Sequence, residues 1–177
     1  MGWHTRHKIE TREKILASAG ELFTTSGFEK VGINEIMTNA GLTRGAFYAH
    51  FKSKADLYSE AILFAAKTRA ADIPVDTSHS KIAEHYLSDE HVSGQFGGCP
   101  LAFLVNDISQ RDEPIRSTYS QVFASLVKRL EQTGLSRDQA IQQAVIMIGG
   151  VAIARTLNDE ALRSELLGCC RPGRGNA

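Results

Sequence analysis

Apolar residues recur at helical spacing along almost the whole chain. Between Lys8 and Thr25 they fall at Ile9, Ile15, Leu16, Ala19, Leu22 and Phe23, which predicts one helix with a single buried stripe. Ser26-Gly27 is expected to end it, because Gly27 tolerates the left-handed backbone that stops a helix. A short second helix is predicted from about Ile33 to Ala40, burying Ile33, Ile36 and Met37 until Gly41 breaks it. Thr43 reads as an N-cap whose hydroxyl can accept a bond from an orphan amide. It opens a third short helix carrying Phe47, Tyr48 and Phe51. Ser53 is a second cap, and the helix it starts runs through Leu57, Ile62 and Ala65 to about Ala71.

Asp72 to Ser80, with Pro74, Asp76 and Ser78, reads as a connector. Beyond it the pattern predicts a helix from about Lys81 to Ser88 and a loop holding Gly94, Gly97 and Gly98. Further helices are predicted at about Pro100–Gln110, Pro114–Thr133, Arg137–Leu157 and Glu160–Cys170. Pro100 and Pro114 sit in first turns, where proline is tolerated. No strand, repeat or low-complexity tract stands out. The expected class is all-α: a small N-terminal helical unit (1–56), a larger helical unit (57–171) and a disordered tail (172–177). The basic arm from Trp3 to Lys8 is expected to fray.

Composition changes this picture little. With 42% hydrophobic and 23% charged residues, there is enough apolar material for a core. The longest apolar run, Ala144 to Ala154, falls short of the roughly 20 residues that cross a bilayer. No apolar stretch follows a basic start, so a cytoplasmic chain without membrane contact is expected. Net charge is zero. Up to Asp56, however, eight Lys and Arg stand against six Asp and Glu, with His4, His7 and His50 in addition. A mildly basic head on a mildly acidic body suits a nucleic-acid-binding segment joined to something else. Cys99, Cys169 and Cys170 form neither a disulfide framework nor a zinc pattern.

The most informative stretch is Gly27 to Lys54. Two short helices joined by Gly41-Leu42 make a helix-turn-helix, with glycine in the turn and Leu42 plugging the core between the helices. For the second helix to enter a groove about 12 Å wide, its front must be slim or polar. Thr43-Arg44-Gly45-Ala46 meets that requirement. The segment closely resembles the DNA-binding domain of TetR/AcrR-type regulators, through Gly32-Ile33-x-x-Ile36-Met37 and Gly45-x-Phe47-Tyr48-x-His50-Phe51. Tyr86-Leu87-Ser88, Gly98-Cys99-Pro100-Leu101-Ala102, Ala152-Ile153-Ala154-Arg155 and Asn158-Asp159 extend the resemblance over most of the chain. The linker after Ala71 is shorter than usual for the family, and Gly32 stands where a threonine commonly caps the second helix.

The resemblance implies a homodimer that binds operator double-stranded DNA and is released by a small, possibly electrophilic, effector of unknown identity, with no cofactor. It implies that Tyr48 places its hydroxyl on a phosphate, as does Lys54 through its amide or ammonium. Thr43, Arg44 and His50 would face phosphates or base edges, and Gly45 and Ala46 the groove floor. Arg44 is the candidate for reading guanine, and Gly32 would offer only backbone amides to phosphate. Phe47, Phe51, Ile36 and Leu57 read as core. Taken without the resemblance, Tyr48 also reads as a half-buried core residue, and His50 stays open between DNA contact and packing beside Lys54.

In the larger unit, the resemblance implies dimerisation through the last two helices. The candidate face comprises Ala144, Ile148, Val151, Ala152, Arg155, Leu162 and Leu166, with Gly149-Gly150 and Ala154 permitting close approach. A helix buried within one subunit would show the same pattern. The other helices should enclose a pocket, with Phe96, Cys99, Leu101, Phe103, Asn106, Tyr119, Phe123 and Met147 as candidate lining; each also reads as plain core. Cys99 precedes Pro100 at a predicted helix N-terminus, where the helix field would lower its pKa and suit it to a thiol-based redox or electrophile sensor. The alternative is an inert small hydrophobe.

Other classes fit less well. An enzyme would have to pair Cys99 with His91, oriented by Asp107 or Asp89, at separations that fix no geometry. His79, His85 and His91 are spaced six apart and share no helical face, so no metal site is expected. A helical binding protein with an idle DNA-binding head would leave the intact Thr43–Lys54 motif unused.

Overall fold

The computed structural model describes residues 3–95 and 97–173. Phe96 and the tail from 174 onward lie outside them. Eleven helices and no strand occur among the described residues: α1 (Trp3–Lys30), α2 (Ile33–Asn39), α3 (Arg44–Phe47), α4 (Lys54–Ala71), α5 (His79–Tyr86), α6 (Asp89–Ser93), α7 (Pro100–Phe103), α8 (Val105–Ser109), α9 (Glu113–Glu131), α10 (Arg137–Ala154) and α11 (Glu160–Cys170). The basic arm expected to fray is instead the start of α1.

The head is built around α1. Its stripe of Ile15, Leu16, Ala19 and Phe23 is buried against Leu57, Tyr58, Ala61 and Ile62 of α4, and against Ile36 and Met37 of α2. Gly27 adopts φ 78°, as expected of a helix breaker, but the chain continues helically beyond the kink to Lys30. That extra turn brings the Phe28 ring within 6.0 Å of Phe23 and 5.0 Å of Tyr58. Ser18 donates to the Ile36 carbonyl (2.8 Å) and accepts from Asn39 (3.0 Å), pinning α2 to α1. Gly41, at φ 68°, makes the turn, and the Leu42 amide closes back onto the Met37 carbonyl at 2.8 Å. Thr43 precedes α3 as expected, yet its hydroxyl makes no capping bond. Ser53 does cap α4, accepting from the Asp56 amide at 3.0 Å.

At 18 residues, α4 is about 27 Å long and belongs to both halves of the molecule. Its first turns pack on α1 and its later ones on α9. In the larger unit α9 and α10 pack together and α11 lies on α10. Two sequence expectations change here. Asp89–Ser93, expected as loop, is a one-turn helix capped by Ser88, whose hydroxyl accepts from the His91 amide; five residues are too few to show a period. The single helix expected over Pro100–Gln110 breaks at Leu104. The break lets Leu104 bury itself in the core while Asp107 reaches Tyr58.

Candidate nucleic-acid interface and effector cavity

At the front of the head, Thr43, Arg44, Gly45 and Tyr48 are exposed and Ala46 is half-buried. Phe47, beneath them, is fully buried, so α3 is fixed by one anchor and its leading end stands clear. A Cβ placed on Gly45 would meet nothing within 4 Å. Tyr48 is 61% exposed, with its ring held edge-on against Phe47 at 5.1 Å. A large apolar ring left in water and locked in one direction fits an outward task for its hydroxyl. The patch is thus narrow and uncovered, as the groove argument requires.

Three neighbouring residues behave differently. Lys54, expected to reach phosphate, holds its ammonium 4.2 Å from the Phe28 ring centroid, which leaves its amide at the start of α4 as the group on offer. Gly32 is exposed, but its own amide is taken by the Glu35 carboxylate at 3.4 Å. His50 is half-buried, and its Nδ1 has no hydrogen-bond partner among the described residues. Burial, then the nearby charges of Lys8 and Arg12, hold its pKa below the ordinary histidine value, so the ring stays neutral. Lys8 and Arg12 were not singled out from the sequence, because α1 was expected to start there rather than to pass behind the recognition element.

The larger unit contains a cavity of about 430 Å³, within the size range of small-molecule sites. α4 supplies Leu63, Ala66 and Arg69, α5 and α6 supply Tyr86 and His91, and α9 supplies Val122 and Leu126. Of the lining residues expected from sequence, Cys99 and Leu101 are there. Phe96 is outside the described residues, and the remaining ones lie elsewhere. Phe103 sits beneath the Arg155 guanidinium (3.4 Å), Tyr119 donates to the Leu101 carbonyl (2.6 Å), and Asn106 faces solvent. Met147 is sealed in the core and Phe123 packs half-buried against it.

At Cys99 the packing favours the inert reading over the sensor. The thiol is buried beside the Tyr86 hydroxyl (Sγ to oxygen 3.0 Å), and burial raises its pKa instead of the helix field lowering it. The four-residue helix behind it supplies too weak a field to offset desolvation. The Tyr86 contact also takes the thiol away from the enzyme-like pairing with His91, and Asp107 is engaged with Tyr58 (2.5 Å). Among the described residues no three His, Cys, Asp or Glu side chains gather to hold a metal ion. No helix among them is long and apolar enough to cross a membrane.

The candidate dimer face is also redistributed. Ala144, Ile148 and Val151 turn into the protomer's own core, while Val145 (56% exposed), Ile146 (44%) and Ile153 (51%) face outward. Gly149 and Ala152 lie between them on the outer face, and Leu162 of α11 (47% exposed) continues it. Leu166 is half-buried against the core. Arg155, though exposed, folds back over Phe103 and donates to the Val92 carbonyl at 2.8 Å.

Residues 15–61 match the family described as bacterial regulatory proteins, tetR family. The chain is similar to the uncharacterised HTH-type transcriptional regulator YxaF of Bacillus subtilis, with 27% identity covering 85% of this chain and 88% of that protein. It is also similar to the HTH-type transcriptional repressor BepR of Brucella suis, with 28% identity over 80% of this chain and 78% of that one. Its fold resembles that of E. coli NemR in the reduced form, with a TM-score of 0.73 at 20% identity, covering 91% of this chain and 95% of the other. The head's sequence match and the whole-length relatives support a regulator of the TetR type, and the solved structures share its helical architecture.

Proposed function

We propose that this DNA-binding transcriptional regulator is a dimeric cytoplasmic repressor that sits on a palindromic operator and leaves it when a small molecule fills the cavity. Residues 1–56 form the DNA-binding head and 57–171 the effector-binding and dimerising body. The observation that carries the DNA reading is the bare leading end of α3. Thr43 to Gly45 stand clear of the protein's own helices, and Gly45 opens onto empty space. One short helix reads few base pairs, so useful specificity calls for two copies on one face of the duplex. The outward stripe of Val145, Ile146, Gly149, Ala152 and Ile153, continued by Leu162, is a self-complementary candidate for that pairing.

The release mechanism follows from α4. Its first turns hold the head through Leu57 and Tyr58, and its later turns wall the cavity through Leu63, Ala66 and Arg69. A ligand that fits better when α4 is displaced shifts the population toward misplaced α3 helices, and a few kcal/mol of differential affinity suffices. Asp107 adds a second link, since it accepts from Tyr58 of α4 and from the Phe28 amide at 3.3 Å.

Fluorescence anisotropy with duplexes from the DNA flanking its own gene tests this reading. Tight binding to one palindromic segment, falling steeply between low and moderate salt, is expected. Arg44→Ala should weaken binding to that segment more than to random DNA. Equal affinity for every duplex, or no salt dependence, overturns the reading.

A further inference from the structure

Two of the cavity's polar residues, Arg69 and His91, carry donors without acceptors. Arg69 lies on α4 with its Nη1 3.5 Å from Nδ1 of His91. Its Nη2 is buried and has no hydrogen-bond partner among the described residues, and neither does Nε2 of His91. His91 is 95% buried, from its 5% exposure, with its ring stacked at 4.4 Å on Tyr86. Because Nδ1 faces the guanidinium, which can only donate, the proton of the neutral imidazole belongs on Nε2. Two N–H groups are therefore desolvated and unsatisfied on residues that line the same cavity, a costly arrangement unless a small shift of the side chains brings them to an acceptor.

No carboxylate in the wall supplies one; the neutral acceptors there, on Ser125 and Gln132, carry no charge to match a guanidinium. No Asp or Glu lines the cavity, whereas Lys67, Arg69, Lys128 and Arg129 all do, with His85 as well as His91. Arg129 is engaged by the Ile73 and Pro74 carbonyls, and Arg69 makes no ion pair among the described residues. The remaining wall is apolar, formed by Leu63, Ile82, Leu101, Val122 and Leu126. An apolar chamber with one half-buried cation and a neighbouring donor calls for a ligand with a hydrocarbon body and a single anionic, two-acceptor head.

We propose that the effector cavity binds a small apolar carboxylate, its two oxygens accepting from Nη2 of Arg69 and Nε2 of His91. This rests on reading the cavity as the effector site. A carboxylate matches two donors with two oxygens, while a phosphate would bring further oxygens and charge that this apolar wall cannot satisfy. Neutral ligands would leave the guanidinium unpaired, and cations would meet like charge.

Calorimetric titration of the full-length protein, without DNA, uses three probes sharing one chain: octanoate, octan-1-ol and octylammonium. Octanoate is expected to bind at least about tenfold tighter than the other two. Arg69→Met keeps the apolar stem and removes the donors; it should weaken octanoate roughly 10–100-fold and leave octanol unchanged. His91→Phe should weaken octanoate too, and His91→Gln, which restores an N–H donor, should recover part of the loss. Thermal melts of each variant confirm folding, and the His91 pair carries the test if Arg69→Met does not fold. Octanol binding as tightly as octanoate, indifference to both substitutions, or no binding of butanoate through decanoate or of 3-phenylpropionate at millimolar concentration overturns the proposal. Anisotropy on the unliganded protein separates the two readings. Intact DNA binding with no carboxylate binding sinks the ligand class alone, whereas carboxylate binding without DNA binding sinks the repressor reading and leaves the site.

Discussion

Ile153→Asp places a carboxylate on the outward face of α10, near its C-terminal end. Val145, Ile146, Ile153 and Leu162 each leave roughly half of their surface in water (44–56%). Full burial of such a side chain is worth about 1.5–3 kcal/mol, so covering the exposed half contributes about 1 kcal/mol each. Four residues from each of two copies supply about 8 kcal/mol, comparable with the estimated cost of association. Pairing therefore depends on every one of them. Replacing Ile153 removes about 1 kcal/mol per copy and leaves an unpaired charge in each half of a dry interface, at several kcal/mol per ion. The dimer dissociation constant is expected to rise at least about 1000-fold, and operator affinity to fall with it. Sedimentation velocity across a concentration series reads the first effect and anisotropy the second. Val75→Asp, in the connector after α4 and 78% exposed, is the matched control and should change neither. If the Ile153 variant sediments as a dimer throughout the range where the parent does, this face is not the interface.

Other consequences can be checked directly. Burial, then the charges of Arg69 and His85, hold His91 down to about 3. A depressed folded pKa means that below about 6.5 the unfolded chain binds a proton the folded one refuses, so stability falls with pH. His91 should cost about 2 kcal/mol between pH 7.5 and 5 in urea unfolding, and His91→Phe should flatten that part of the profile; an unchanged slope contradicts the burial argument. Asp107→Asn weakens the bond from Tyr58 and the contact with the Arg111 guanidinium at 3.9 Å, and should destabilise the fold by roughly 1.5–3 kcal/mol. A double-mutant cycle with Tyr58→Phe should be strongly non-additive, and additivity would show that the two groups do not act together. Maleimide should modify exposed Cys169 well before buried Cys99 in the native protein, as read by peptide mass; early modification of Cys99 would contradict the packing around Tyr86.

What the sequence disclosed, and what it hid, has a physical pattern. The head was legible because Gly41, Ser53 and the spacing of Ile15, Leu16, Ala19 and Phe23 each leave one local solution. α11 was placed to the residue for similar reasons. The face of α10 was not legible. That helix is apolar on both sides, so Ala144, Ile148 and Val151 looked as suitable for a partner as Val145, Ile146 and Ile153, and only packing on α9 tells them apart. Cys99 shows two effects in competition: the local rule about helix ends pointed to an activated thiol, and burial overrode it. Most of the cavity's lining was not legible, because aromatic residues on these helices look as suitable for a pocket as the aliphatic and charged ones that form it. A better signal was Arg69, four positions beyond Ala65 and seven beyond Ile62 on the apolar stripe of α4, where a charge demands a partner or a ligand.

Gly45→Leu offers the most direct test of the central idea, that a bare helix end docks against base pairs. The new side chain has open space in the free protein and should leave the fold intact, or raise stability by about 0.5–1 kcal/mol through helix propensity. On DNA it would occupy the gap between backbone and groove floor. Anisotropy with the operator should show affinity dropping to that for random sequence, roughly 1000-fold or more, in a protein that still melts as a folded dimer. Undiminished operator binding by that variant would mean that α3 does not enter the groove.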